Sequence, residues 1–277
     1  MKLLYLLNVA CSAGQSLLSK QYAENGGDAC VFNINKTIAG VVVFIIWGLI
    51  QGFSFHLPTV FFGIGYGISL CVSMNMGFRA LAAGPMALTS VVASFSLLIP
   101  FFFGVCFWNE PLTFFGVCGI IMLLLSIMLI NGKKVGGISF KWSIYAAATL
   151  LANGICSIIQ KYHQTEFPNL YRTEFMIFAL ASVFIILFIS QNLNHSEKKT
   201  FKFSFSGVVS GVLNGAANYI VLFLSATENA SVLFPIISAA NIVAVWVIGI
   251  FFFKEKLAVL QTIGLILGML SIVLLKL

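Results

Sequence analysis

The stretch Gly104-Val-Cys-Phe-Trp-Asn-Glu-Pro-Leu-Thr113, with the apolar run behind it to Ile130, recurs from Gly249 to Leu275, and this repetition decides the fold. At a constant offset of 145, ten of 27 positions are identical: Gly104/Gly249, Phe107/Phe252, Glu110/Glu255, Leu112/Leu257, Gly119/Gly264, Ile121/Ile266, Leu125/Leu270, Ser126/Ser271, Ile127/Ile272 and Leu129/Leu274. Leucines and isoleucines coincide by chance in any apolar sequence, but the Glu, Gly and Ser pairs are not lipid filler. The chain reads as two copies of one unit.

Working outward, Val43-Phe-Ile-Ile46 recurs as Val183-Phe-Ile-Ile186, and Ser16-Leu-Leu-Ser-Lys20 resembles Ser157-Ile-Ile-Gln-Lys161. Gly65 and Ser69 align with Gly211 and Gly215. The offsets drift only where connections can gain or lose residues.

Composition sets the solvent. Charged residues are 8% of the chain, against roughly 25% in a soluble domain, and the mean hydropathy is +1.04. Polar or Gly/Pro-rich breaks leave about ten apolar segments, 2–22, 32–52, 58–78, 85–108, 112–131, 142–162, 171–191, 205–225, 230–253 and 257–276. Each is about 20 residues, enough for a helix to cross a bilayer. The expected fold is an all-α membrane protein whose helices form two five-helix repeats, 1–131 and 132–277, within one membrane domain. An odd number of spans per copy makes the second copy enter from the opposite side, which is the inverted-repeat construction of many secondary transporters.

Several function classes drop out. No connection is long enough to fold into a soluble domain, and there is no Walker A motif, so ATP coupling within the chain is excluded. Met1-Lys2 followed by Leu3–Ala10 and Cys11 could be read as a signal segment, but apolar character resumes through Leu17-Leu18, as in a first span. The six cysteines are scattered, with no Cys-x-x-Cys pair or Cys/His cluster, so no metal, cofactor or disulfide framework is expected. The net charge of +7 resides mainly in short connections, where topology explains it, and nucleic acid is not implied. His56, His163 and His195 fall in connections and the eight carboxylates are spread singly, so no catalytic set is expected.

Polar side chains inside spans turn towards the bundle interior or a wet cavity, because unpaired they are costly in hydrocarbon. On this ground the substrate-binding candidates are Tyr66, Asn75, Asn153, Asn214, Asn218, Ser238, Asn241 and Trp246. Asn214 and Asn218 share one face of the eighth segment at i, i+4. The other reading of such amides is a hydrogen bond between packed helices. Lys36 and Glu174, near span starts, are candidates for coupling or for meeting a substrate charge, and Lys20 and Lys161 for snorkelling. Glu110 and Glu255 open the fifth and tenth spans, where a carboxylate caps the positive helix end. Small-residue stripes (Gly207, Gly211 and Gly215; Gly65, Ser69, Ser73 and Gly77; Gly264 and Gly268) mark close helix approaches, and Pro100 and Pro235 are hinge candidates.

The run Ala80-Leu-Ala-Ala-Gly-Pro-Met-Ala-Leu-Thr89, then Asn109-Glu-Pro-Leu-Thr113 and Gly119, matched later by Ser231-Val-Leu-Phe-Pro-Ile-Ile237, Lys254-Glu-Lys-Leu257 and Gly264, resembles the EamA-like branch of the drug/metabolite transporter superfamily along the whole chain. The resemblance implies an exporter-type transporter of amino acids, metabolites or cationic compounds, with Glu110 and Glu255 marking the family's hairpin. Asn109 and Lys254 stand where the family usually has Gly. It also implies cytoplasmic termini, whereas eleven cations against four in alternating connections put the termini outside by the positive-inside rule.

The expected function is secondary transport of a small metabolite, amino acid or amphipathic compound by alternating access in the plasma (inner) membrane. The partners are the solute, membrane lipid and a second copy in a homodimer. The alternatives are a flippase for a lipid or lipid-linked substrate and a membrane-embedded lipid-modifying enzyme.

Overall fold

The structure, a computed structural model, describes residues 2–99, 103, 114–131, 139–168, 170–193, 203–227, 230–254 and 258–274. Among these residues ten α-helices follow one another and no strand occurs. They are α1 (Lys2–Glu24), α2 (Ala29–Gln51), α3 (Leu57–Ala83), α4 (Met86–Ser94), α5 (Phe114–Asn131), α6 (Phe140–Glu166), α7 (Arg172–Leu193), α8 (Phe205–Thr227), α9 (Ala230–Phe253) and α10 (Val259–Leu274). Each falls on one of the ten apolar segments.

Local chemistry sets several limits. The Asp28 side chain accepts from Cys30 N at 2.7 Å to start α2, and Ser139 accepts from Trp142 N at 3.1 Å to start α6; these are N-caps that satisfy amides no helical carbonyl can reach. Pro58 sits in the first turn of α3, where a missing N–H costs nothing. The segment expected over 85–108 is α-helical to Ser94, tightens into a 3₁₀ turn at Phe95–Leu97 and is α-helical again at Leu98, Ile99 and Phe103. Pro100, Glu110 and Glu255 lie outside the described residues. Lys254 adopts φ +50°, the left-handed region that favours glycine.

Stretches of α2, α3, α6 and α7 are long and apolar enough to cross a membrane. On α2 the exposed residues Ile38, Val42, Ile45, Ile46 and Leu49 form one helical face, a surface suited to lipid and not to water. Asn33, Lys36, Gly40 and Phe44 project from the opposite side of the helix.

The helices pack mainly across the two halves. Helix α3 lies against α6 and α7, α2 against α7 and α8, α1 against α8 and α9, α4 against α6 and α9, and α5 against α10. One core cluster gathers Leu88, Val91, Phe95, Trp142, Ile242 and Leu265 from α4, the turn after it, α6, α9 and α10. Trp142 is fully buried there and its Nε1 donates to Thr89 Oγ1 at 2.9 Å. In the α5–α10 seam, Ser126 Oγ donates to Gly264 O at 2.5 Å, so two of the repeated small residues meet.

Glycines set the closest approaches. A Cβ on Gly211 would run into the Lys36 carbonyl, and one on Gly207 would stand 2.9 Å from Phe32 O. A Cβ on Gly67 would collide with the Ala179 carbonyl, and one on Gly63 would lie 3.1 Å from Phe175 O. The α8 stripe therefore marks a close helix approach, as expected, and the helix it meets is α2. On α3 the closest approach is Gly63 and Gly67 on α7, a pair outside the expected stripe; the expected face of Gly65, Ser69, Ser73 and Gly77 turns to α6, where a Cβ would stand 3.7 Å from Ile159 Cδ1 at Gly65 and 3.5 Å from Thr149 Cγ2 at Gly77.

Contact order also gives direction. Phe32, Lys36 and Val43 meet Gly207, Gly211 and Gly215 in turn, so α2 and α8 run parallel. Gly63 and Gly67 meet Phe175 and Ala179, so α3 and α7 run parallel. Gln15 pairs with Asn214 and Asn8 with Ala217, so α1 and α8 are antiparallel.

Candidate functional site

The interior polar groups fall into short hydrogen-bonded sets at helix seams. At the α1–α8 seam, Asn214 Nδ2 donates to Gln15 Oε1 at 2.9 Å, and Asn218 Nδ2 donates to Asn214 O at 2.9 Å and Asn214 Oδ1 at 3.2 Å. Asn8 Nδ2 donates to Ala217 O at 2.8 Å one turn away, leaving its buried Oδ1 with no partner among the described residues. At the α3–α6 seam, Ser73 Oγ donates to Asn153 Oδ1 at 2.5 Å. Between α2 and α3, Asn33 Nδ2 donates to Asn75 Oδ1 at 3.2 Å.

The structure thus brings Asn214, Asn218 and Gln15 into one chain, and joins Asn153 with Ser73 and Asn75 with Asn33. Tyr66 is buried at the meeting of α3, α6 and α7, against Phe175 and Cys156. Asn241 and Trp246 lie on α9; Asn241 Oδ1 is buried without a partner among the described residues, and Trp246 packs on the cluster around Trp142. The Ser238 side chain lies outside the described residues. Lys36 is half-buried on the interior side of α2, one helical turn beyond Asn33.

Two residues take places other than those expected. Lys20 does not snorkel to the surface: it is 5% exposed, its Nζ donates to Gly84 O at 3.4 Å and lies 5.0 Å from the centre of the Phe253 ring. It ties the end of α1 to the end of α3 and to α9. His163 is not in a connection but fully buried in the last turn of α6.

His163 belongs to a directional chain that sequence reading did not find. Arg172 Nε donates to Gln164 Oε1 at 3.1 Å, and since a guanidinium only donates, the Gln164 amide orientation is fixed. Gln164 Nε2 must then donate to His163 Nδ1, at 3.1 Å. Neutral His163 consequently carries its proton on Nε2 and gives it to Thr59 Oγ1 at 3.1 Å, and Thr59 gives its own to His56 Nδ1 at 3.0 Å. His56 stacks on Tyr171, with centroids 4.5 Å apart and planes 4° from parallel.

Beside this chain, at the face where α3 begins and α6 ends, a cavity of about 320 Å³ lies between the end of α2, the start of α7 and α8. Its walls include Trp47, Gln51, Tyr171, Arg172, Glu174 and Tyr219. Glu174 Oε1 accepts from Ser54 N at 2.8 Å, which anchors the carboxylate to the α2–α3 connection. Among the described residues no group of three His, Cys, Asp or Glu side chains stands close enough to hold a metal.

Residues 1–132 match the EamA-like transporter family. The match agrees with the resemblance drawn from Ala80–Thr89 and Asn109–Thr113 over the first half of the chain and, with the membrane-crossing stretches, points to an integral membrane protein and to membrane transport of a solute. One solved structure, described as a crystal structure of a protein, superposes with a TM-score of 0.68 at 18% identity over 99% of this chain and 98% of that one. At that identity the likeness concerns the fold. No curated protein matches the chain.

Proposed function

We propose that the protein is a secondary transporter in which two inverted five-helix repeats, 1–131 and 132–277, rock about a central polar region and expose a small solute to each side of the plasma membrane in turn. The observation that carries this reading is the exchange symmetry of the packing. Exchanging α1–α5 with α6–α10 turns α3·α6 into α1·α8, α3·α7 into α2·α8 and α4·α6 into α1·α9, while α2·α7, α4·α9 and α5·α10 map onto themselves. Each of these seams has its counterpart.

The glycine contacts share one register, which pairs Gly67 and not the sequence-aligned Gly65 with Gly211. Gly63 and Gly67 on Phe175 and Ala179 correspond to Gly207 and Gly211 on Asn35 and Ala39, at offsets of 144 and 140. Direction agrees as well: α2 is parallel to α8 and joins α3 through a short connection, so the equivalent helices α3 and α8 run oppositely, as inversion requires.

The Gln15–Asn214 and Ser73–Asn153 pairs occupy equivalent seams, α1–α8 and α3–α6. Rocking that loosens one seam can tighten the other, so their amides exchange partners with a polar or amphipathic solute. Neutral donors and acceptors suit such a solute better than a polyanion.

The test is a thermal-shift screen of purified protein against amino acids, nucleosides, polyamines and quaternary amines, followed by uptake of the hit into proteoliposomes. Saturable uptake is expected, falling by about tenfold or more when Asn214 and Asn218 are both leucine, since each lost hydrogen bond costs roughly 1 kcal/mol. Undiminished uptake in that variant removes these amides from the pathway.

A further inference from the structure

From the cavity at the end of α2 we infer a binding site for the headgroup of a zwitterionic phospholipid, with the ammonium at Glu174 and the aromatic rings and the phosphate at Arg172. The walls carry one carboxylate and one guanidinium. A cation would leave Arg172 facing like charge and an anion would leave Glu174 so; an ammonium–phosphate zwitterion meets both. Trp47 and Tyr219, edge to face with centroids 4.4 Å apart, supply π systems that attract an ammonium. The planar guanidinium suits phosphate oxygens.

Position selects a lipid. The lining comes from the last two turns of α2, the α2–α3 connection, the residues leading into and opening α7, and Tyr219 of α8, which lies level with Trp47; this end of α2 and α7 is headgroup depth for helices that cross the bilayer. Leu170 lines the cavity yet is 54% exposed, and Ile50, next in sequence to the lining residue Gln51, is 69% exposed, so acyl chains have an apolar surface to lie along. The wall is also built at a cost. Tyr171 holds φ +53°, an uncommon backbone state for a bulky residue, and the parallel stack of His56 keeps its ring in place. The site needs only the membrane location and is independent of the transport reading.

The test is native mass spectrometry of the full-length protein titrated with phosphatidylethanolamine, phosphatidylcholine and phosphatidylglycerol, with soluble phosphoethanolamine and phosphocholine as further arms. The two zwitterionic lipids are expected to bind about tenfold or more tightly than phosphatidylglycerol. Glu174→Gln, whose amide oxygen still accepts from Ser54 N, and Trp47→Leu are each expected to remove most of that preference. The Asn214→Leu/Asn218→Leu variant is expected to keep it. Equal binding of phosphatidylglycerol, wild-type preference in both Glu174→Gln and Trp47→Leu, or soluble headgroups binding as tightly as the lipids would overturn the assignment.

Discussion

Replacing Gly211 by alanine should separate α8 from α2. The added Cβ meets the backbone carbonyl of Lys36 and stands 2.7 Å from Ala39 Cβ, and neither is the end of a flexible side chain that could swing aside. The relief is a shift of one helix against the other, which forfeits dispersion along the seam; over-packing of this kind costs about 1–3 kcal/mol. For a chain of this size that corresponds to a fall in Tm of roughly 3–10 °C. Gly67→Ala, in the equivalent seam against the Ala179 carbonyl, should fall by a similar amount. Gly65→Ala has ordinary space, 3.7 Å to Ile159 Cδ1, and should leave Tm unchanged or slightly raised because alanine favours helix. The assay is thermal unfolding of the three variants and the parent in one detergent, followed by tryptophan fluorescence. Equal Tm values for Gly211→Ala and Gly65→Ala would refute the packing argument and the register of the two seams with it.

Two further expectations concern other parts of the molecule. Thr59→Val keeps the shape of a fully buried residue but strands the Nε2–H of His163 and Nδ1 of His56, so a loss of about 2 kcal/mol is expected, with Thr59→Ser recovering most of it in the same unfolding assay. Lys254→Gly should be neutral or stabilising by about 0.5–1 kcal/mol, since glycine tolerates φ +50° at a smaller penalty than a residue with a Cβ; a clear fall in Tm would argue against that backbone conformation.

The ten helices were legible in the sequence because hydrocarbon permits few ways to interrupt an apolar run, so Asp28, Pro58, Gly84 and Ser139 punctuate it at the helix limits. The α8 stripe was legible for a similar reason, as Gly207, Gly211 and Gly215 leave a single small face. Helix α3 carries two interleaved sets, Gly63/Gly67 and Gly65/Ser69, at the same spacing of four. Only the position of α7 chooses between them. Lys20 looked like a snorkelling cation because its acceptor, Gly84 O, is 64 residues away. The His56–Thr59–His163 chain and the cavity around Glu174 were hidden for the same reason: their parts come from the ends of α2, α3, α6, α7 and α8, and no local spacing links them. Of the candidate amides, their pairing at seams was one of the two readings the sequence offered.

The central claim is alternating access to the interior polar seams, and single-cysteine accessibility tests it most directly. In a variant with the six native cysteines replaced, Asn214→Cys is labelled with a membrane-impermeant thiol reagent, once on intact cells and once on inverted vesicles. Alternating access predicts labelling from both sides, with saturating solute shifting the two rates in opposite directions. Labelling from one side only, or from neither under any solute condition, would contradict it.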